Sequence, residues 1–489
     1  MPRLRHSFLY NAAYQVLLII TPLITTPYLS RVLEPTGVGV YSYTSSITQY
    51  FVLFATLGMS TYGVRLVAMK RHNRQELSKA FWSAYVSQLL IAAIVLAIYF
   101  VYWIPEPKGG HKIAFFWCFW IISAALNASW LLFGVEEFKI PTIRNVIVKV
   151  TELVLIFTLV KSYEDLWIYV IIIAGGYLVS QLLVLPFIPR YVDFYTPSWQ
   201  EISAHFRPSL RLFIPVIAIS LYTVLDKIML GAISTMVQTG YYEYSERVAK
   251  IPLAVITALG AVMLPRMSSY FSSDNEEDRA LGLHALELSF WFMMIAAFAA
   301  AFGIGAIAPE FVTKFLSGTF SPAIPTMIVL AGVVPLIAST NVLGNQYLLP
   351  SHKDWFFTIS VLAGAVVNIV LNLILIKPYG SLGAAIATIA AEVAVLVAQV
   401  IMVRKELPVG RFFARIIPFF IIGVLMAVLV RYVAHVTRAM WGLSYPGLFL
   451  EVGIGAIFFL ACTFAWLLIR KDPFFLELLD TSGLKKKEN

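Results

Sequence analysis

The stretch 81-FWSAYVSQLLIAAIVLAIYFVYW-103 runs for 23 residues without a charged side chain, and its reading decides the fold. A bilayer core is about 30 Å thick and a helix rises about 1.5 Å per residue, so roughly 20 apolar residues cross it. Within one segment, only a helix satisfies its own backbone groups there. After a short polar gap, 113-IAFFWCFWIISAALNASWLLFGV-135 repeats the pattern. Outward from this pair lie spans near 8–30, 38–61, 142–160, 166–188 and 209–231, then near 247–270, 282–308, 322–346, 355–376, 381–403, 412–434 and 446–469. Arg247, Lys250 and Pro252 crowd the entry to 247–270, which makes that span the least regular. The expected class is an all-α polytopic membrane protein of about 14 transmembrane helices.

No gap between these runs is long enough for an independently folded soluble domain, so the function is expected to sit inside the membrane. The chain has 489 residues, 60% of them hydrophobic and 13% charged, with a mean hydropathy of +0.81. Its net charge of +9 would suggest nucleic acid in a soluble protein. Here it follows the positive-inside rule, and no nucleic-acid partner is expected. With both termini in the cytoplasm, the inward gaps hold about 24 Lys and Arg and the outward gaps about 8. Most of that excess comes from 65-RLVAMKRHNRQELSK-79, 404-RKELPVGRFFAR-415 and the tail residues Arg470, Lys471, Lys485, Lys486 and Lys487. The first run follows Arg3 and Arg5 but exceeds a signal-peptide h-region, so it reads as a spanning helix. Cys118 and Cys462 fall inside apolar runs and read as small buried hydrophobes.

A repeat divides the chain. Gly39-Val40-Tyr41-Ser42-Tyr43 and Gly240-Tyr241-Tyr242-Glu243-Tyr244 share the pattern G-x-Y-x-Y at a spacing of 201 residues, and each reads as an outward turn after a span. Leu57-Gly58 answers Leu259-Gly260 within one residue, and Arg65 answers Arg266. Six spans separate the copies, an even number, so both halves share one orientation. Parallel six-helix halves are a transporter architecture with the binding site between them. The expected organisation is two six-helix lobes, 1–205 and 206–405, around a central cavity, with two further helices and a cytoplasmic tail in 406–489.

Charged groups inside a spanning helix cost about 2.5–3.5 kcal/mol each on insertion scales, so they face a cavity or a partner. Asn145, Lys149 and Glu152 share one face of the fifth span; a Lys149–Glu152 pair that only neutralises itself is the plainer alternative. Asp226 and Lys227 close the seventh span but point about 100° apart. Arg31, Arg247 and Lys250 stand near the same outward end, where snorkelling to the interface is the competing explanation. Asn11 with Gln15, Asn368 with Asn372, and Asn341 with Asn345 and Gln346 form polar stripes; Glu392 and Gln399 lie seven apart in the twelfth span. Interhelical hydrogen bonding alone can account for such stripes. The candidates for substrate binding are therefore Arg31, Lys149, Lys227, Arg247, Lys250, Asn11, Gln15, Asn345, Gln346, Asn368 and Asn372. The candidates for coupling to an ion gradient are Asp226, Glu152 and Glu392.

No nucleotide-cradling G-x-x-x-x-G-K-[ST] loop, H-E-x-x-H, C-x-x-C or G-x-S-x-G pattern occurs. Direct ATP drive, a metal site, a cofactor and catalytic residues are not expected.

The residues 11-NAAYQVLLIITPLITTPYLSRVLEPTGVGVYSYTSSITQYFVLFATLGMSTYGVR-65 resemble the opening of Wzx-type oligosaccharide flippases. These form the polysaccharide-transport branch of the superfamily that also contains the multidrug and toxin extrusion (MATE) antiporters. The resemblance continues through 221-LYTVLDKIMLG-231, 240-GYYEYSERVAKIPLAVITALGAVMLPRMS-268, 343-LGNQYLLPSHK-353 and 367-VNIVLNLILIKPYGSLGAAIATIAAE-392. It implies a flippase, not an enzyme, that moves undecaprenyl-pyrophosphate-linked sugar repeat units outward by alternating access in a bacterial cytoplasmic membrane. A polyprenyl-pyrophosphate-linked glycan, the bilayer, and polysaccharide polymerase and chain-length machinery are the implied partners, with the chain acting as a monomer. Where the family usually has Gly after the R-x-L element, this chain has Glu34, a carboxylate within reach of Arg31. A diphosphate needs cations in the cavity, and Lys149, Lys227, Arg247 and Lys250 are available. The alternatives are a MATE-like antiporter of cationic small molecules, which wants acidic cavity residues, and a membrane enzyme of polysaccharide assembly, which wants a long catalytic loop.

Overall fold

The computed structural model describes residues 20–103, 111–273, 275–471 and 475–476. Asn11, Gln15 and most of the first span lie outside the described residues. Among the described residues every regular element is helical, and the chain divides into two compact units, Met1–Glu243 and Tyr244–Asn489.

In the first unit, α1 (20–32) leads into α2 (Glu34–Thr56), which is opened by Pro35 in its first turn, where a missing N–H costs nothing. Leu57 and Gly58 both adopt left-handed φ and break the path before α3 (Met59–Lys70). α4 (Arg74–Trp103) is the quoted stretch extended by about two mostly polar turns at its start. Then come α5 (His111–Ala125), α6 (Ser129–Gly134), α7 (Lys139–Leu159) and α8 (Leu166–Leu182). The short α9 (Trp199–Ser203) is fixed by a capping box in which Ser198 and Glu201 satisfy each other's backbone N–H. α10 (Phe206–Ile233) completes the unit, together with the first turns of α11 (Met236–Phe271). α2 packs on α4, α5 and α10, and α8 packs on α5 and α7.

The loop ends of this unit that were read as cytoplasmic carry ion pairs: Lys70–Glu76 at 2.7 Å, Arg71–Glu136 at 2.5 Å, Arg74–Asp193 at 2.7 Å and Lys79–Glu201 at 2.6 Å. The hydrogen bond from Lys79 pushes the Glu201 carboxyl down to about 2. His205, whose Nδ1 lies 2.7 Å from the Tyr62 hydroxyl, is held below the usual imidazole range by burial.

In the second unit α12 (Glu276–Phe311) is central, and α13 (Ile324–Ala331), α14 (Val333–Thr340) and a π-helical stretch Asn341–Leu348 follow. α15 (Asp354–Val403) has 50 residues, far more than one crossing needs. It is two spans folded back at Gly380, whose φ of 54° with ψ of −128° is a conformation that suits glycine. α16 (Val409–Trp441) packs on α12, and α17 (Tyr445–Arg470) on both. Phe290, Trp291, Phe412, Phe419 and Phe459 build their common core. Glu287 is buried yet bonded by Arg411 at 3.2 Å and Arg415 at 3.1 Å, and Glu310 by Arg431 at 2.5 Å. These pairs staple α16 to α12 at both ends.

Fourteen spans are thus present, the first seen from residue 20 onward. The span entered by Arg247, Lys250 and Pro252 is a continuous helix, α11. The two G-x-Y-x-Y copies are a correction. They lie in the opening turns of α2 and α11 and not in turns between helices.

Candidate functional site

α7 supplies the charged stripe and α8 the surface it meets. Lys149 Nζ bonds Glu152 Oε2 at 2.7 Å and stands 5.7 Å from the centre of the Tyr177 ring, which itself stacks on Trp120 at 4.9 Å. Glu152 is buried, and its second oxygen has no hydrogen-bond partner. A β-carbon on Gly176 would overlap that oxygen, so α8 needs glycine where the carboxylate packs.

One turn earlier the same interface holds a cation that the sequence reading passed over. Arg144 is buried, with Nε and Nη2 donating to Asn145 Oδ1 at 3.1 and 2.9 Å. Its Nη1 donates to Ser129 Oγ at 3.1 Å and to the Ser180 carbonyl at 2.9 Å. Arg144 and Lys149 set a guanidinium and an ammonium beside the carboxylate of Glu152 at the α7–α8 interface, donors of the kind that meet an anion. Arg144 escaped notice because it stands near the helix start, where an arginine reads as an interfacial anchor.

A second charged group forms at the end of α10. Lys227 Nζ pairs with Glu243 Oε2 at 2.9 Å, Ser42 donates to the same oxygen at 2.9 Å, and the Tyr242 hydroxyl donates to Asp226 Oδ2 at 2.6 Å. Glu243 was not among the candidates, since the turn reading placed it outside a helix. Lys250 is half exposed and pairs with Glu246 one turn back, at 2.7 Å. The Arg247 guanidinium lies 5.1 Å from the Tyr244 ring centre. Arg31 is exposed and donates to the Pro27 carbonyl at 2.6 Å.

The second unit buries amides. Asn372 donates to Asn368 at 3.0 Å, Gln399 to Ser360 at 3.3 Å, and Gln346 to Asn341 at 3.5 Å within the π-helical stretch, while Asn345 is half-buried. Glu392 is buried on the second limb of α15. A cavity of about 580 Å³ between α12, α16 and α17 is lined by apolar chains such as Phe292, Met426 and Phe459, and among the described residues Glu451 is the carboxyl that lines it. Among the described residues no three His, Cys, Asp or Glu side chains gather to hold a metal ion.

Residues 4–271, more than half of the chain, match the family described as "Polysaccharide biosynthesis protein". The chain belongs to that family. Within it, the chain is similar to the "Putative O-antigen transporter" of Escherichia coli (strain K12), at 23% identity over 82% of this chain and 97% of that protein. In fold it is similar to a lipid II flippase, MurJ, solved in an inward closed conformation, with a TM-score of 0.70 at 16% identity over 94% of this chain and 98% of the other. An inward-facing multidrug resistance transporter of the MATE family aligns with a TM-score of 0.59 at 13% identity, over 82% and 95% of the two chains. This member of the polysaccharide biosynthesis family is therefore a multi-pass membrane protein of the Wzx type, with the fold shared by flippases and MATE transporters.

Proposed function

We propose that this protein is a flippase that carries polyprenyl-pyrophosphate-linked oligosaccharide repeat units from the cytoplasmic to the outer leaflet of a bacterial cytoplasmic membrane, by alternating access. The observation that supports the reading is the Arg144–Lys149–Glu152 group, with Arg144 and Glu152 buried and Lys149 partly so, in a chain of the polysaccharide biosynthesis family. A diphosphate loses its hydration on leaving water and needs charge-assisted donors in return. Arginine supplies a fork of such donors and lysine a mobile point charge. The MATE-like alternative wants acidic cavity residues, and the α7 group presents two cations beside one carboxylate. Both termini are cytoplasmic on this reading, Asp226 and Glu392 are the coupling carboxylates, and the glycan is handed to polymerase and chain-length machinery.

Deletion of the gene should remove the surface polysaccharide and leave lipid-linked repeat units trapped in the inner leaflet, with restoration by the parent chain. Accumulation of lipid-linked units in the outer leaflet would reassign the protein to a later step.

A further inference from the structure

The two copies of the internal repeat touch each other. A β-carbon on Gly39 would overlap the Met236 carbonyl oxygen, and one on Gly240 would overlap the Pro35 carbonyl oxygen, so α2 and the first turns of α11 meet backbone to backbone. Ser42 and Glu243 hold the same place in their copies, 201 residues apart, and it is this pair that hydrogen-bonds at 2.9 Å. The contact joins equivalent positions of a parallel repeat, and all of its residues belong to the first unit.

Glu243 does a second thing at the crossing. The same oxygen that accepts from Ser42 takes Lys227 Nζ at 2.9 Å, and both charged side chains are largely buried. Removing one partner of a buried pair leaves the other uncompensated, so such a pair separates readily only when another ion of the same sign replaces the one withdrawn. An anionic headgroup reaching Lys227 is such a replacement. Once Lys227 turns to it, Glu243 loses a counter-charge at the oxygen that Ser42 also shares, a less compensated carboxylate favours leaving its buried place for water, and the tie between α11 and α2 loosens.

We propose that Glu243 is a positioning residue, the resident counter-anion of Lys227 and a latch onto Ser42, which an anionic lipid headgroup displaces so that α2 and α11 part and the substrate leaves outward. This rests on the flippase reading and adds to it a residue and a step. Occupancy of the cation and opening of the latch become one event, so the empty carrier holds the crossing shut.

The test uses the full chain in cells. Ser42→Cys with Glu243→Cys is treated with a short bis-methanethiosulfonate, whose links a thiol reductant reverses. The expected result is an intramolecular link that stops surface polysaccharide until reductant is added. Absence of a link, or linked protein that exports at the parental rate, overturns the proposal. Since the paired variant can impair export on its own, a second measurement needs no transport at all. Ser42→Cys alone is labelled from outside with a membrane-impermeant maleimide, with Glu243 intact or as Glu243→Gln. Labelling should be several-fold faster with Glu243→Gln, and Glu243→Asp should return it toward the slow rate. Equal rates in all three contradict the latch. Neither the link nor the labelling depends on the glycan, so failure of the flippase reading would be seen separately, as export that never required the parent chain.

Discussion

The first unit sets cations beside carboxylates on α7, α10 and the start of α11, whereas the second buries a set of amides together with glutamates, two of which bond arginines of α16. Arg144, Lys149, Glu152, Asp226, Lys227 and Glu243 stand on α7, α10 and the start of α11. Asn341, Gln346, Asn368, Asn372 and Gln399 are buried in the second unit together with Glu392 and Glu451, and Glu287 and Glu310 bond arginines of α16. Amides hold helices together at low cost and choose no ion. Buried cations are costly in a bilayer and are kept where an anion must be met. On the proposed reading, the cations that meet an anionic headgroup are those of α7 and α10, in the first unit.

The largest effect that could break this comparison is at Lys149. Lys149→Ala should reduce surface polysaccharide about tenfold or more, since a charged hydrogen bond is worth about 1.5–3 kcal/mol and 1.4 kcal/mol is a factor of ten. Glu152→Ala should be milder. Lys149→Ala also strands the buried Glu152, so protein level must be read beside activity. The double variant Lys149→Ala/Glu152→Ala removes that burden, and should recover level without recovering export. Export at the parental level by the double variant would make the pair structural.

A smaller effect is expected at Asp226, whose carboxylate accepts from Tyr242. In vesicles carrying labelled lipid-linked glycan, an imposed proton or sodium gradient should accelerate translocation in the parent and leave Asp226→Asn at its basal rate. Acceleration of both equally removes Asp226 from the coupling step while leaving the flippase reading intact.

In the second unit, Asn368→Leu with Asn372→Leu should change export by no more than about twofold, because replacing both partners of a buried hydrogen bond with apolar groups of like shape is close to neutral. A loss as deep as that at Lys149 would erase the contrast between the units.

What the sequence made legible follows the same division. Spanning helices write themselves as apolar runs, since every lipid-facing position must be apolar, and all fourteen were read from the runs alone. The stripe Asn145–Lys149–Glu152 was legible because helical spacing puts those residues on one face. Its neighbour Arg144 was not, for a residue near a helix start looks like an interface anchor until Ser129 and Ser180 are seen to surround it. Gly39 and Gly240 were legible as a repeat and misread as turns, because a glycine that admits a neighbouring helix and one that admits a turn are the same letter. The partnership of Glu243 with Lys227 and Ser42 depends on how α2, α10 and α11 meet, which no local pattern contains.

The smallest expected effect concerns acid. The unfolded imidazole of His205 takes a proton near pH 6.5, and burial beside Tyr62 keeps the folded one below that. Between these values the unfolded state binds the extra proton, so stability is fully present above about pH 6.5 and declines as pH falls through that window. Thermal unfolding in detergent at pH 7.5 and pH 5.5 should show a modest fall for the parent and a smaller one for His205→Gln. An identical fall in both would assign the acid sensitivity to other groups.

On the proposed reading, the partly buried cations of α7 hold the diphosphate. Its most direct measurement is the rate at which fluorescent polyprenyl-pyrophosphate-linked oligosaccharide crosses vesicles containing the parent, Lys149→Ala/Glu152→Ala, or Asn368→Leu/Asn372→Leu at matched protein levels. A rate reduced about tenfold or more is expected for the first variant, and one within about twofold of the parent for the second. Translocation by Lys149→Ala/Glu152→Ala at the parental rate would contradict it.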